Sequence, residues 1–81
     1  MTSGVRTAPH LFVEEFAEAC ALLAASPLIG RSYRTPTVRG VRRILMRATR
    51  YHVYYVPEAS RVVVLAVWGA VRAQRPPLRR V

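Results

Sequence analysis

Two short breaks, Arg47-Ala48-Thr49-Arg50 and Pro57-Glu58-Ala59-Ser60, constrain this chain more than any other feature, because they separate three runs rich in β-forming residues. The runs cover residues 41–46, 51–56 and 61–68 and are dominated by valine, tyrosine and other strand formers. Parallel strands need a crossover of a dozen or more residues, whereas a four-residue connection can close only a hairpin. The three runs are therefore expected as antiparallel neighbours in a β-meander. The last contains the unbroken apolar stretch Val62-Val63-Val64-Leu65-Ala66-Val67, and apolarity on both faces predicts that it is the most buried strand.

A helix is predicted ahead of the meander. It begins near Thr7-Ala8-Pro9, where a hydroxyl cap precedes a proline permitted in the first turn, and runs to about Ala25. Phe12, Phe16, Ala19, Cys20 and Leu23 fall on one face at helical spacing, with Glu14, Glu15 and Glu18 on or near the opposite side. Ser26-Pro27 ends the helix. Residues 26–40, with two prolines and two glycines, read as a long loop across one edge of the domain. The fold class that follows is α+β: a sheet of about three strands with one main helix packed on one face. The whole chain, residues 1–81, is one domain, with residues 1–6 and 76–81 expected to be flexible.

A chain of 81 residues buries a modest core and commonly leans on disulfides, a metal or a partner. Cys20 is the only cysteine, which excludes an internal disulfide and suits a reducing, cytoplasmic compartment. One cysteine and two widely spaced histidines do not make a metal site, and no cofactor motif is present. No metal and no cofactor are expected. A protein partner is the remaining source of stability. The charge balance says what kind: 13 basic against 4 acidic residues give a formal net charge of +9, and all the basic residues are arginine. Arginine offers a planar fork for carboxylate or phosphate, so an acidic polypeptide or a nucleic acid is the expected partner. No membrane segment is expected, because Glu14, Glu15 and Glu18 interrupt the early apolar stretch and residues 62–71 are too few to span a bilayer.

The main candidate site is a group of arginines in the sheet region, Arg39, Arg42, Arg43, Arg47 and Arg50, followed by Tyr51, His52, Tyr54 and Tyr55. Basic residues interleaved with aromatics can hold phosphates and stack bases. Cleavage of RNA by its 2′-hydroxyl needs an acid, a base and cations for the charged intermediate. His52 and a tyrosine could supply the first two, and Arg43 or Arg50 the third. The alternative is that the arginines form a solvated face and the tyrosines pack the sheet. Trp68 reads as a core or partner-contact residue. Arg72, Arg75, Arg79 and Arg80 form a second basic cluster, either a solvated tail or a phosphate clamp. Phosphate-cradling glycine loops, Ser/His/Asp sets and paired carboxylates are all missing, which argues against an ordinary hydrolase.

Four features occur together: Pro27-Leu28-Ile29-Gly30-Arg31, the Arg42-Arg43 strand, the Tyr51-His52-Val53-Tyr54-Tyr55 strand and the late Trp68-Gly69-Ala70. In this combination residues 11–78 resemble the RelE/ParE superfamily of bacterial type II toxin–antitoxin toxins. The resemblance implies a compact sheet with helices on one side, neutralised by an acidic antitoxin that wraps the toxin. It also implies one of two targets. RelE-like members cut mRNA on the ribosome, whereas ParE-like members inhibit DNA gyrase without being nucleases. Whether the chain is an enzyme therefore stays open.

On a RelE-like reading the catalytic set is Arg43, Arg50, His52 and Arg72, an unusual arrangement in which His52 stands where ribonuclease members often carry arginine. The ending Trp68-Gly69-Ala70 is closer to the ParE pattern, which favours gyrase. Contacts to target or antitoxin are expected from Arg39, Arg42, Arg47, Tyr54, Trp68 and Arg75. A homo-oligomer and a toxin–antitoxin hetero-oligomer are both open. Family members usually open with a further strand and helix, so here a sheet edge and an apolar face are expected to be uncovered. A start site lying upstream, a natural truncation leaving an inactive remnant that still binds antitoxin, or a covering partner would each account for this.

Overall fold

The computed structural model of the chain describes residues 8–71 and 74–79. Helix α1 spans Ala8–Ala25 and is followed by strands β1 (Arg31–Ser32), β2 (Arg42–Met46), β3 (Tyr51–Pro57) and β4 (Val62–Gly69). The strands lie in the order β1-β2-β3-β4, all neighbours antiparallel. The helix and the three principal strands stand within a residue of the positions predicted. The short β1 was not anticipated: Arg31 and Ser32 lie inside the segment read as loop and pair with Arg43 and Arg42. Two residues carry no legible alternation, so only the neighbouring strand reveals them.

The sheet separates two small cores, because successive strand residues point to opposite faces. On the helix side, Ala19 and Leu23 pack on Met46, Val53 and Tyr55, with Phe12, Phe16, Ile44, Val62, Val64 and Val67 around them. On the other side, Tyr54 and Val56 pack with Val38 and Val41 of the loop and Leu78 of the tail. Val38 and Leu78 thus fold segments expected to be loop and flexible end against the sheet. Phe12 also meets Tyr51 edge-on, with centroids 5.2 Å apart.

One expectation is corrected. The most buried strand is β3, where Val53 and Tyr55 are wholly inaccessible, while every residue of β4 is only half-buried. The cause is position: β3 is flanked on both sides, whereas β4 is a terminal strand of the sheet, and no described strand pairs with its outer edge. Its unbroken apolar run covers both cores from that edge. On α1, Val13 and Leu22 are exposed apolar residues.

The loop after α1 is fixed by two residues of the sheet. The hydroxyl of Tyr55 donates to the carbonyl of Pro27 (2.7 Å) and accepts from the Gly30 amide (2.9 Å). A Cβ at Gly30 would lie 2.6 Å from that hydroxyl and 2.8 Å from the Arg43 carbonyl, so only glycine allows this approach. Arg42 donates to the carbonyls of Gly30 (2.6 Å) and Leu28 (3.3 Å). At the opposite end of the sheet, Glu15 accepts from the amides of Ala48 (2.8 Å) and Thr49 (2.9 Å) and from the Thr49 hydroxyl (2.7 Å). Desolvation raises the pKa of Glu15, but these three donors outweigh it and hold the carboxyl below its ordinary value. A glutamate assigned by helical spacing to the solvent side therefore clamps the β2–β3 turn.

Candidate anion-binding site on the helix-free face

A cavity of about 490 Å³ opens on the face of the sheet away from α1. Arg43, His52, Tyr54 and Trp68 line it from the strands, Tyr33 and Arg34 from the segment directly after β1, and Gln74 and Arg75 from the tail. The register explains how four strand residues meet. Arg43 pairs with Tyr54 across β2–β3, and His52 pairs with Trp68 across β3–β4. Directly opposed residues share a face, so these two pairs lie side by side.

The position of Trp68 depends on an irregularity in β4. Tyr54 pairs with Ala66 but Tyr55 pairs with Val64, which leaves Leu65 as an additional residue. Such a bulge reverses the facing of everything beyond it. Before it, Val62 and Val64 pack towards the helix; after it, Val67 does so, and Trp68 turns to the open face. With strict alternation from Val62, Trp68 would enter the helix-side core. The bulge is what delivers the indole to the cavity, and the Trp68 N–H then donates to the Gln74 carbonyl (3.0 Å), tying the tail to the rim.

Arg43 is held by a set of rings. Its guanidinium lies 5.1 Å from the centroid of Tyr33 and 5.9 Å from that of Tyr54, and it donates to the Tyr54 hydroxyl at 3.3 Å. Tyr33 and Tyr54 meet edge-on at 4.9 Å, and His52 meets Tyr54 at 5.9 Å. A cation over an aromatic face is attracted by the ring quadrupole and keeps its remaining donors free to point elsewhere. His52 is held below the usual imidazole value of 6.5, first by partial burial and then by the charges of Arg43 and Arg50. It is therefore neutral at pH 7 and able to accept a proton. Arg50 closes the β2–β3 turn with φ of 64°, a left-handed conformation that costs a non-glycine residue about 1–2 kcal/mol.

None of the four glutamates lines this cavity. Glu15 is bound to the β2–β3 turn, and Glu58 pairs with Arg61 at 2.9 Å in the β3–β4 turn. Among the described residues no group of three or more His, Cys, Asp or Glu side chains assembles. The chemistry available is that of a cationic, aromatic pocket with one neutral imidazole. It can hold an anion and offer ring faces to a planar group.

Of the residues singled out from sequence, the fold brings Arg43, His52, Tyr54, Trp68 and Arg75 into this one cavity. Tyr54 is itself buried and supports Arg43 and His52 more than it offers a surface. Arg50 acts on the cavity through its charge. Arg39 and Arg42 line a separate, open depression of the loop, and Arg42 is engaged with loop carbonyls. Arg47 lies on the helix side, beside Glu15 and Glu18. Arg72 lies outside the described residues. Tyr33, Arg34 and Gln74 were not singled out. The alternation Arg31-Ser32-Tyr33-Arg34 carries the same basic–aromatic signal as the later strand and could have been read.

A model of the family described as "ParE toxin of type II toxin-antitoxin system, parDE" matches residues 3–73. No curated protein and no solved structure matches the chain.

Proposed function

The chain belongs to the ParE toxin family of type II toxin–antitoxin systems, and on that premise we propose that it arrests growth by inhibiting DNA gyrase. The same membership gives it an antitoxin partner. Its net charge of +9 suits an acidic antitoxin, with the exposed Arg39, Arg47 and Arg75 as contact points. What favours gyrase over mRNA is the match to the ParE toxin model together with the ending Trp68-Gly69-Ala70, which is closer to the ParE pattern. Arg43, Trp68 and Arg75 are the residues proposed to engage the target.

A second reading has one specific observation in its favour. His52 lines the cavity beside Arg43, and partial burial followed by the charges of Arg43 and Arg50 lowers its pKa, which favours the neutral form required of a general base in RNA cleavage. The test is induced expression of residues 1–81 in a bacterial culture, followed by plasmid supercoiling and mRNA integrity in the arrested cells. Loss of negative supercoiling with intact mRNA supports gyrase. Cut mRNA that becomes intact on His52→Gln replaces the proposal with a RelE-like ribonuclease. Soluble protein without arrest refutes both and leaves an antitoxin-binding remnant.

A further inference from the structure

We propose that the outer edge of β4 is the interface of a homodimer, in which two copies of the chain pair their β4 strands antiparallel about a two-fold axis between Leu65 and Ala66. The inference concerns the isolated chain and does not depend on which cellular target is inhibited.

β4 is a terminal strand of eight residues, and no described strand pairs with its outer edge. Such an edge displays free amide and carbonyl groups to any strand that can match it. Charged side chains, proline and bulges are the devices that usually prevent this pairing. Val62–Gly69 contains no charged residue and no proline. At its start, Glu58 and Arg61 pair with each other at 2.9 Å, so the nearest charges cancel. All eight residues are half-buried, which leaves apolar surface still to be covered.

The bulge at Leu65 remains, and it makes the strand self-complementary. Val62, Val64 and Val67 face the helix side, whereas Leu65, Ala66 and Trp68 face the other core. With Val63 and Gly69 placed by alternation, the facing pattern reads the same from either end. A two-fold pairing then sets Val62 opposite Gly69 of the copy, Val63 opposite Trp68, Val64 opposite Val67 and Leu65 opposite Ala66, each pair on one face. Without the bulge this full-length alignment would oppose residues on different faces. Both helices lie on one side of the joined sheet, and both cores continue across the junction.

The same register brings an exposed apolar residue to a cavity. Beyond β4, Val71 is 84 % exposed. Ahead of β4, a cavity of about 380 Å³ is lined by Cys20, Leu23, Pro27 and Val62, together with Ser60 and Arg61. The alignment that opposes Val62 and Gly69 also brings Val71 opposite Ser60, at the other copy's cavity. The two-fold axis makes this contact twice. A second copy thus matches the edge in facing, in charge and in shape, whereas an acidic partner finds no arginine within β4 to pair with.

Sedimentation of the purified full chain across concentration tests the proposal. A reversible monomer–dimer equilibrium is expected, tightening as salt screens the repulsion between two chains of net charge +9. Val71→Lys is expected to weaken the dimer by about tenfold or more. Val71 is exposed, so the variant should keep the parent's circular dichroism. Thr37→Lys, which adds the same charge in the exposed β1–β2 loop at the far end of the sheet, should dimerise as the parent does. In a Cys20→Ser background, Ser60→Cys combined with Val71→Cys should give disulfide-linked dimers on mild oxidation. Within one chain these positions flank a strand about 27 Å long and cannot meet. A chain that stays monomeric at every concentration overturns the proposal and leaves the edge to a different partner. Association that Val71→Lys leaves unchanged, growth into open polymers, or a dimer that the paired cysteines fail to link overturns it equally.

Discussion

Tyr55 is the residue on which the loop after α1 depends, and Tyr55→Phe isolates that dependence in a single oxygen atom. The ring is wholly inaccessible and its hydroxyl bridges Pro27 O and Gly30 N, at 2.7 and 2.9 Å. Phenylalanine keeps the ring packing on Leu23, Met46 and Val53 and removes only the bridge. Each lost hydrogen bond to a buried backbone group costs about 1–1.5 kcal/mol, so the pair costs about 2–3 kcal/mol. For a domain of this size 1 kcal/mol moves the melting temperature by about 4–8 °C, and the predicted fall is about 10–20 °C. Urea unfolding followed by circular dichroism should show a midpoint lower by about 2 M with an unchanged slope. Tyr54→Phe provides the internal comparison. It removes one 3.3 Å bond from Arg43 and should cost about 0.5–1 kcal/mol. If Tyr55→Phe were as stable as the parent, or Tyr54→Phe the more damaging of the two, the assignment of the loop's anchorage would be refuted.

Other perturbations follow from the same contacts. Glu15→Ala removes three hydrogen bonds to the β2–β3 turn and should cost about 1–2 kcal/mol, measured by thermal unfolding, with faster amide exchange at Ala48 and Thr49. Because the Glu15 pKa is lowered in the fold, its contribution is complete above the ordinary value of 4.5 and is lost as pH falls from there through the folded pKa. Glu15→Ala should flatten that part of the stability profile. The folded pKa of His52 is also lowered, so the unfolded chain takes up a proton first as pH falls. Stability should therefore be full above about pH 6.5 and decline below it, and His52→Gln should remove this decline. Arg50→Gly relieves the left-handed backbone at the cost of a freer unfolded chain, for a net gain of about 0.5–1 kcal/mol. The same change removes one of the two cations beside His52, and an NMR titration should find its pKa moved back towards 6.5.

Much of the architecture was legible because it is local. The four-residue breaks at Arg47–Arg50 and Pro57–Ser60 permit only hairpins, and the spacing of Phe12, Phe16, Ala19 and Leu23 defines the face that α1 buries. What escaped depends on contacts between segments distant in sequence. Helical spacing put Glu15 near the solvent side, yet the β2–β3 turn, 33 residues later, brings backbone donors to it. Val62–Val67 reads as the most buried strand by composition, yet the meander that the short breaks impose already makes it an edge strand, and its apolar run serves two cores from that edge. Leu78 sits among arginines and prolines without periodicity, and is buried because the tail crosses the helix-free face. The candidate site divides the same way. Arg43, His52 and Tyr54 were visible as a basic–aromatic cluster on consecutive strands. The convergence of Trp68 and Arg75 on them required the Leu65 bulge and the return of the tail, and that of Tyr33 required the β1–β2 pairing.

The central claim concerns the target, and the most direct test adds the purified full chain to DNA gyrase with relaxed plasmid and ATP. Dose-dependent loss of supercoiling that is abolished by an excess of the antitoxin, and weakened by Arg43→Gln, is the result predicted. Undiminished supercoiling at every concentration, with the same preparation cutting mRNA on ribosomes, would contradict the account.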